Sequence, residues 1–207
     1  ANLAGANLNR ARADHAPAKF VTARMRDASA KDANFTECDF TGAHLQGATL
    51  DRATLRKACF RGATLTRAKL RFKVNLRHAD LTDAKMSEAD MEESALDGAN
   101  FRGAVLTGAR LASVTAENYP VNFSGGDLEH ANLFEANLPM SDFTDANLEQ
   151  AHLGKARLYK CNFTNASLNG AHLNAVNMKR AILAGAKMKR VTLVAANLAE
   201  ADLTGAE

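Results

Sequence analysis

Ala1-Asn2-Leu3-Ala4-Gly5-Ala6-Asn7-Leu8-Asn9-Arg10 holds two copies of one five-residue unit, and the unit returns as Ala131-Asn132-Leu133-Phe134-Glu135 and as Ala201-Asp202-Leu203-Thr204-Gly205. Forty such units account for nearly all of the 207 residues. Taking the large third residue as the centre of a unit, it is Leu in 24, Phe in eight, Met in five and Ala in three (Ala13, Ala30, Ala116). Two places before it stands Ala in 30 units and only Cys, Ser, Val or Gly in the others, so this slot excludes bulk throughout. A period of five fits neither the 3.6 of a helix nor the alternation of a strand. A short fixed period over this length specifies a solenoid, in which each repeat packs on its neighbours.

These A-(N/D)-L-x-x units closely resemble the pentapeptide-repeat family, and the resemblance covers essentially the whole chain. It implies an all-β fold: a right-handed quadrilateral β-helix with four units to a square coil, one unit per side, and about ten coils in all. The coil length can be tested on the residues. Phe20, Phe40 and Phe60 are twenty residues apart, and so are Phe123, Phe143 and Phe163. Extra residues at Ala16-Pro17, Lys73 and Tyr119-Pro120 break the phase. If each is a corner bulge, one column runs Phe20, Phe40, Phe60, Leu81, Phe101, Phe123, Phe143, Phe163, Leu183, Leu203, and seven of the eight central phenylalanines share one side.

In such a coil the centre and the small residue both point inward, and backbone ladders between coils about 4.8 Å apart satisfy the amides. The rod is then about 48 Å long. Asn, Asp or Thr before the centre and Gly, Ser or Thr after it suit tight corners. Gly42, Gly62, Gly103, Gly125, Gly185 and Gly205 all end units on the phenylalanine side, which is expected to be the most regular.

The chain 1–207 is expected to be a single solenoid domain, and its start and end inside the repeat suggest a fragment of a longer protein, since solenoids need end caps. No apolar run is long enough to span a membrane as a helix. Three cysteines do not make a disulfide framework: Cys38 and Cys161 fill inward small slots, Cys59 an outward one, and free thiols point to a reducing compartment such as bacterial cytoplasm, or host cytosol for a secreted protein. No nucleophile elbow, P-loop, HExxH or CxxC is present, and a filled square rod offers no concave site, so no enzyme activity and no cofactor are expected. His152 and His172 are expected to stack one coil apart, a pair short of the ligand number of a defined metal site.

Charge is the one non-uniform property. Residues 51–79 carry ten bases or histidines against Asp51, and residues 80–97 seven acids against Lys85. On a solenoid these runs become rings of alternating sign, which attract their neighbours or serve a partner. One side concentrates bases: Arg56, Lys57, Arg77 and His78, then Arg157, Lys160, Lys179 and Arg180, with Glu37, Asp97 and Glu117 interrupting the stripe into two patches. Tyr119-Pro120, with Met140 and Tyr159 on following coils, forms an apolar cluster of the kind that anchors interfaces. Ile182, Val194 and Ala195 also face outward, a place for a missing element or a second subunit.

The expected function is a non-enzymatic protein–protein interaction scaffold within a larger protein, such as a secreted bacterial effector. The resemblance also reaches quinolone-resistance-type proteins, DNA mimics that bind type II topoisomerases such as gyrase. A net charge of +3 and a pI near 8.8 have the wrong sign for such a mimic. A structural spacer stands third. Nucleic acid is disfavoured because no continuous basic track with aromatic platforms appears. End-to-end or C-terminal homodimerisation is a further expectation, and the partner is a protein.

Overall fold

The structure, a computed structural model, describes residues 1–13 and 16–207. Among them there is no helix, and none therefore that could cross a membrane. Each unit contributes one parallel bridge, made by the residue just before its centre, to the unit four places further on. The phenylalanine side shows the pattern: Lys19 pairs with Asp39, Asp39 with Cys59, Cys59 with Asp80, Asp80 with Asn100, and Asn100 with Asn122. The register steps by 21 across Lys73 and by 22 across Tyr119-Pro120, then returns to 20. The insertions are therefore looped out without moving any side chain to another column. We call the sides first to fourth by their centres in chain order, starting from Phe40, Leu45, Leu50 and Leu55.

Why this sequence adopts this path is visible in the amides of one unit. The centre donates to the coil ahead (Leu45 N–H to Thr64 O, 2.7 Å), and the residue before it to the coil behind (Thr64 N–H to Ala43 O, 2.9 Å). The residue two after the centre also bonds ahead (Gly47 N–H to Thr66 O, 3.0 Å). The next small residue closes the corner onto the centre's carbonyl (Ala48 N–H to Leu45 O, 3.0 Å). The fifth amide is taken by the Asn or Asp of the repeat, as in Thr144 N–H to Asp142 Oδ1 at 2.9 Å. With that acceptor every backbone donor of the unit is satisfied, which is the reason the repeat asks for Asx at this place.

The corner is a type II turn, whose third residue must adopt positive φ. In every described unit except that of Ala116, the residue two after the centre has φ between +50° and +69°. Most of these are not glycine, and the left-handed conformation costs roughly 1–2 kcal/mol at each. The ladder bond that the same residue donates to the next coil offsets it.

Inside, Ala slots alternate with Leu, Met and Phe, essentially inaccessible except in the coils at the two ends, where residues such as Leu3, Phe20 and Leu198 are only partly buried and Leu203 is exposed. Phe20, Phe40 and Phe60 stack with centroids 4.7 and 4.8 Å apart, and Phe123, Phe143 and Phe163 with 4.9 and 4.8 Å. Ring stacking at the coil spacing confirms that the phenylalanines share one column.

Three of the polar residues in the small slot have a common position. Cys38, Ser94 and Ser141 stand twenty residues beyond Ala18, Val74 and Val121, the first small residue after each insertion. Looping out a residue disturbs the corner bond there. The Ser94 hydroxyl donates to Leu70 O (2.9 Å), the Ser141 hydroxyl accepts from Val121 N–H (3.1 Å), and the Cys38 sulfur takes a backbone hydrogen bond from Ala18. Cys161, one coil above Ser141, donates to Leu138 O at 3.0 Å. Burial pushes its thiol up to about 12, so it is inert as a nucleophile. Ser94→Ala should lower stability by about 1–2 kcal/mol, the cost of leaving a buried carbonyl unpaired. Thermal denaturation beside Ala89→Ser, which adds a hydroxyl in a slot with no insertion below it, checks this: the first loses stability through a lost bond, the second through an unmet one.

A strip of bases and rings on the fourth corner

The corner between the fourth and first sides carries the residues that follow the centres Leu55, Leu76, Leu96, Ala116, Leu138, Leu158 and Met178. Arg56, Lys57, Arg77, His78, Tyr119, Pro120, Met140, Tyr159, Lys160, Lys179 and Arg180 all fall on it in adjacent coils, so the basic stripe and the apolar bulge are one surface. Arg157 lies just beside it, on the flat of the fourth side.

The acids of this strip, Glu117 excepted, act as partners of the bases. Lys57 pairs with Glu37 (3.0 Å), Arg77 with Asp97 (3.0 Å), and Lys179 and Arg180 share Glu200 (3.2 and 2.6 Å). The same pattern holds around the rod, with Arg61 on Asp80, Arg67 on Glu88 and Arg71 on the buried Asp51. Rings of opposite charge are thus tied coil to coil. Each exposed pair contributes at most about 1 kcal/mol. Arg56 and Arg157 make no ion pair among the described residues, and Lys160 lies over the Tyr159 ring at 5.3 Å.

The bulge is held rather than loose. Asp97 is 2 % exposed and accepts from Asn118 N–H (2.8 Å), Asn118 Nδ2 (3.3 Å) and Arg77 Nε (3.0 Å). Burial raises its pKa, but the Asn118 amide and the Arg77 guanidinium outweigh that and hold it below the ordinary 3.8. Gly98 N–H donates to Tyr119 O at 3.1 Å. The His78 ring meets Tyr119 edge-on at 5.0 Å, across Gly98, where a Cβ would strike the imidazole. These contacts fix Tyr119 while leaving 56 % of it exposed, next to Met140 at 49 %. Further up, the Tyr159 hydroxyl accepts from Arg180 at 3.2 Å, which lowers its pKa. Sequence reading found Tyr119 but not its supports, Asp97 and Ser141. The signal was a Ser in an Ala slot one coil above an insertion.

Other candidates separate. His152 and His172 stack at 4.6 Å, both exposed, and among the described residues no group of three or more potential ligands could hold a metal. Ile182 lies on the first side and Val194 at the third corner, so they do not form one patch.

A closed four-column β-solenoid with a filled core and a patterned exterior defines a repeat protein. Pentapeptide repeats, in eight copies, match residues 33–71, 73–113, 121–150, 141–180 and 173–207, and the chain belongs to that family. Among solved structures it is similar to HetL, a pentapeptide repeat protein involved in heterocyst differentiation regulation from the cyanobacterium Nostoc sp. strain PCC 7120. That likeness has 28% identity and a TM-score of 0.89 over 99% of this chain and 88% of HetL. QnrB1, a plasmid-mediated fluoroquinolone resistance protein, matches in a trypsin-treated variant at 17% identity and TM-score 0.40, over 87% of this chain and 89% of that one. Rfr23, a pentapeptide repeat protein of the cyanobacterium Cyanothece 51142, matches at 28% identity and TM-score 0.21, over 57% and 58% of the two chains. No curated protein matches the chain. The family relatives imply a right-handed β-helix.

Proposed function

We propose that this chain is a non-enzymatic protein-binding scaffold with a regulatory role, and that the fourth corner is its contact surface. The observation that carries this reading is Tyr119: a large, exposed ring held by an almost buried carboxylate and a neighbouring imidazole, with Met140 on the next coil, Arg157 and Lys160 two coils on and Arg56 three coils back along the same side of the rod. Aromatic anchors held in place before binding dominate interface energies because little freedom is left to lose. The surrounding bases select a partner segment with an apolar anchor flanked by acids. HetL, of similar length, takes part in regulating differentiation, which supports a regulatory scaffold over a secreted effector or a spacer.

The test is capture of partners from the native cell, identified by mass spectrometry, with the parent protein beside two variants. Tyr119→Ala should weaken the specific partner by about 2 kcal/mol, roughly thirtyfold. Arg56→Glu/Lys160→Glu should weaken it more at low salt than at high salt. Arg77→Glu is a poor choice, because it would set a second acid against Asp97. A partner that binds parent and both variants alike would remove this corner from consideration. Inhibition of gyrase supercoiling by the purified protein would replace the scaffold by the topoisomerase-directed reading.

A further inference from the structure

Away from that corner, a hollow of about 410 Å3 opens on the second side, lined by Asn2, Ala4, Arg24, Arg26, His44 and Gln46. The ladder explains its form. Arg24 and Arg26 flank the buried Met25 on one strand, so both leave the same face, about 6.6 Å apart along the chain. The bridges Asn2 to Arg24 and Arg24 to His44 set an amide and an imidazole on either side of the first guanidinium. Gln46 takes the same place beside the second through Asp27 N–H to Gln46 O, and Ala4 leaves the floor open.

What distinguishes this hollow is that no carboxylate lines it among the described residues. The hollows beside Arg10, Arg71 and Lys73 each contain acids, and there Asp32 is bonded by Arg52 and Glu92 by Arg110. Asp27, the nearest acid in the chain, is laid over Gly47 at the corner instead. Neither Arg24 nor Arg26 has an ion-pair partner among the described residues, while most arginines of the following coils do.

We propose that this hollow is an anion site for a dianionic phosphate group, as a phosphomonoester or as free phosphate. Two guanidinium forks and an imidazole converge more donors than the two oxygens of a carboxylate can accept, whereas the three free oxygens of a phosphate monoester match them. The site is independent of the fourth corner, and either can fail without the other.

Amide NMR titrations at constant ionic strength, with inorganic phosphate and with O-phosphoserine, test it. Phosphate should shift the Arg24, Arg26 and His44 resonances saturably by about 10 mM. Arg24→Gln/Arg26→Gln should weaken binding at least about tenfold. Arg67→Gln, which removes an arginine already paired with Glu88, should not. Saturation by phosphoserine alone would assign the site to esters, and saturation by both to any phosphate. Equal shifts from chloride, or undiminished binding by the double variant, would overturn the proposal.

Discussion

Phe143→Ala should destabilise the protein by about 4 kcal/mol, in the middle of the range of about 3–5 kcal/mol for deleting a buried aromatic ring. Phe143 is fully buried and stacks on Phe123 at 4.9 Å and on Phe163 at 4.8 Å. In a globular core the neighbours would partly collapse into the hole. Here the coils above and below are pinned by backbone bonds, among them Phe123 N–H to Asp142 O and Phe143 N–H to Asn162 O, both 2.7 Å. The cavity therefore stays open. Phe143→Leu retains much of the volume and should cost only about 1–1.5 kcal/mol. A solenoid is also quasi-one-dimensional, so a weak coil in its interior can uncouple the two halves. Equilibrium urea unfolding should then show a lower apparent m-value, or two transitions. A loss below about 2 kcal/mol with unchanged m would mean that the coils can close up after all.

That rigidity is what made the fold legible. A five-residue period, an Ala slot and phenylalanines spaced by twenty are enough to predict the column from Phe20 to Leu203, even through the two insertions at Lys73 and Tyr119-Pro120, because a change of register would have moved every later Phe to another side. The corner chemistry was half visible. Asx before the centre could be read as a turn former, but that its side chain completes the amide count shows only in the folded coil. Positive φ at residues such as Lys57, Glu88 and Met140 left no trace in composition. The candidate site was legible as a list of bases and rings on one side, and its wiring was not. Glu37 and Asp97 looked like interruptions because sequence reading treats an acid in a basic stripe as a break. Residues twenty apart are in fact next to each other, so the acid one coil away becomes a partner. The long side chains of Arg77 and Lys179 could have turned either way, and the repeat does not fix their rotamers.

Asp97 joins the two themes. Asp97→Ala should cost about 2–3 kcal/mol, less than breaking a fully buried pair because Arg77 is half exposed and can turn to water, while Asn118 N–H loses its acceptor. Asp97→Asn keeps an oxygen for the Asn118 amide and gives up only the charge facing Arg77, so about 1 kcal/mol is expected. The pH dependence separates the charge from the hydrogen bond. The folded pKa of Asp97 lies below its ordinary value of 3.8. Its contribution is therefore complete above about pH 4 and is lost as the pH falls through the folded pKa. The stability gap between parent and Asp97→Asn should be constant from neutral pH down to about 4 and narrow below it. Hydrogen exchange gives the functional consequence: the Gly98 amide, bonded to Tyr119 O, should exchange faster in Asp97→Ala while core amides such as Phe143 keep their order of protection. If partner binding on the fourth corner depends on a fixed Tyr119, Asp97→Ala must weaken it although every contact residue remains. A variant that loses Gly98 protection yet binds its partner at full affinity would show that the ring is used without being held.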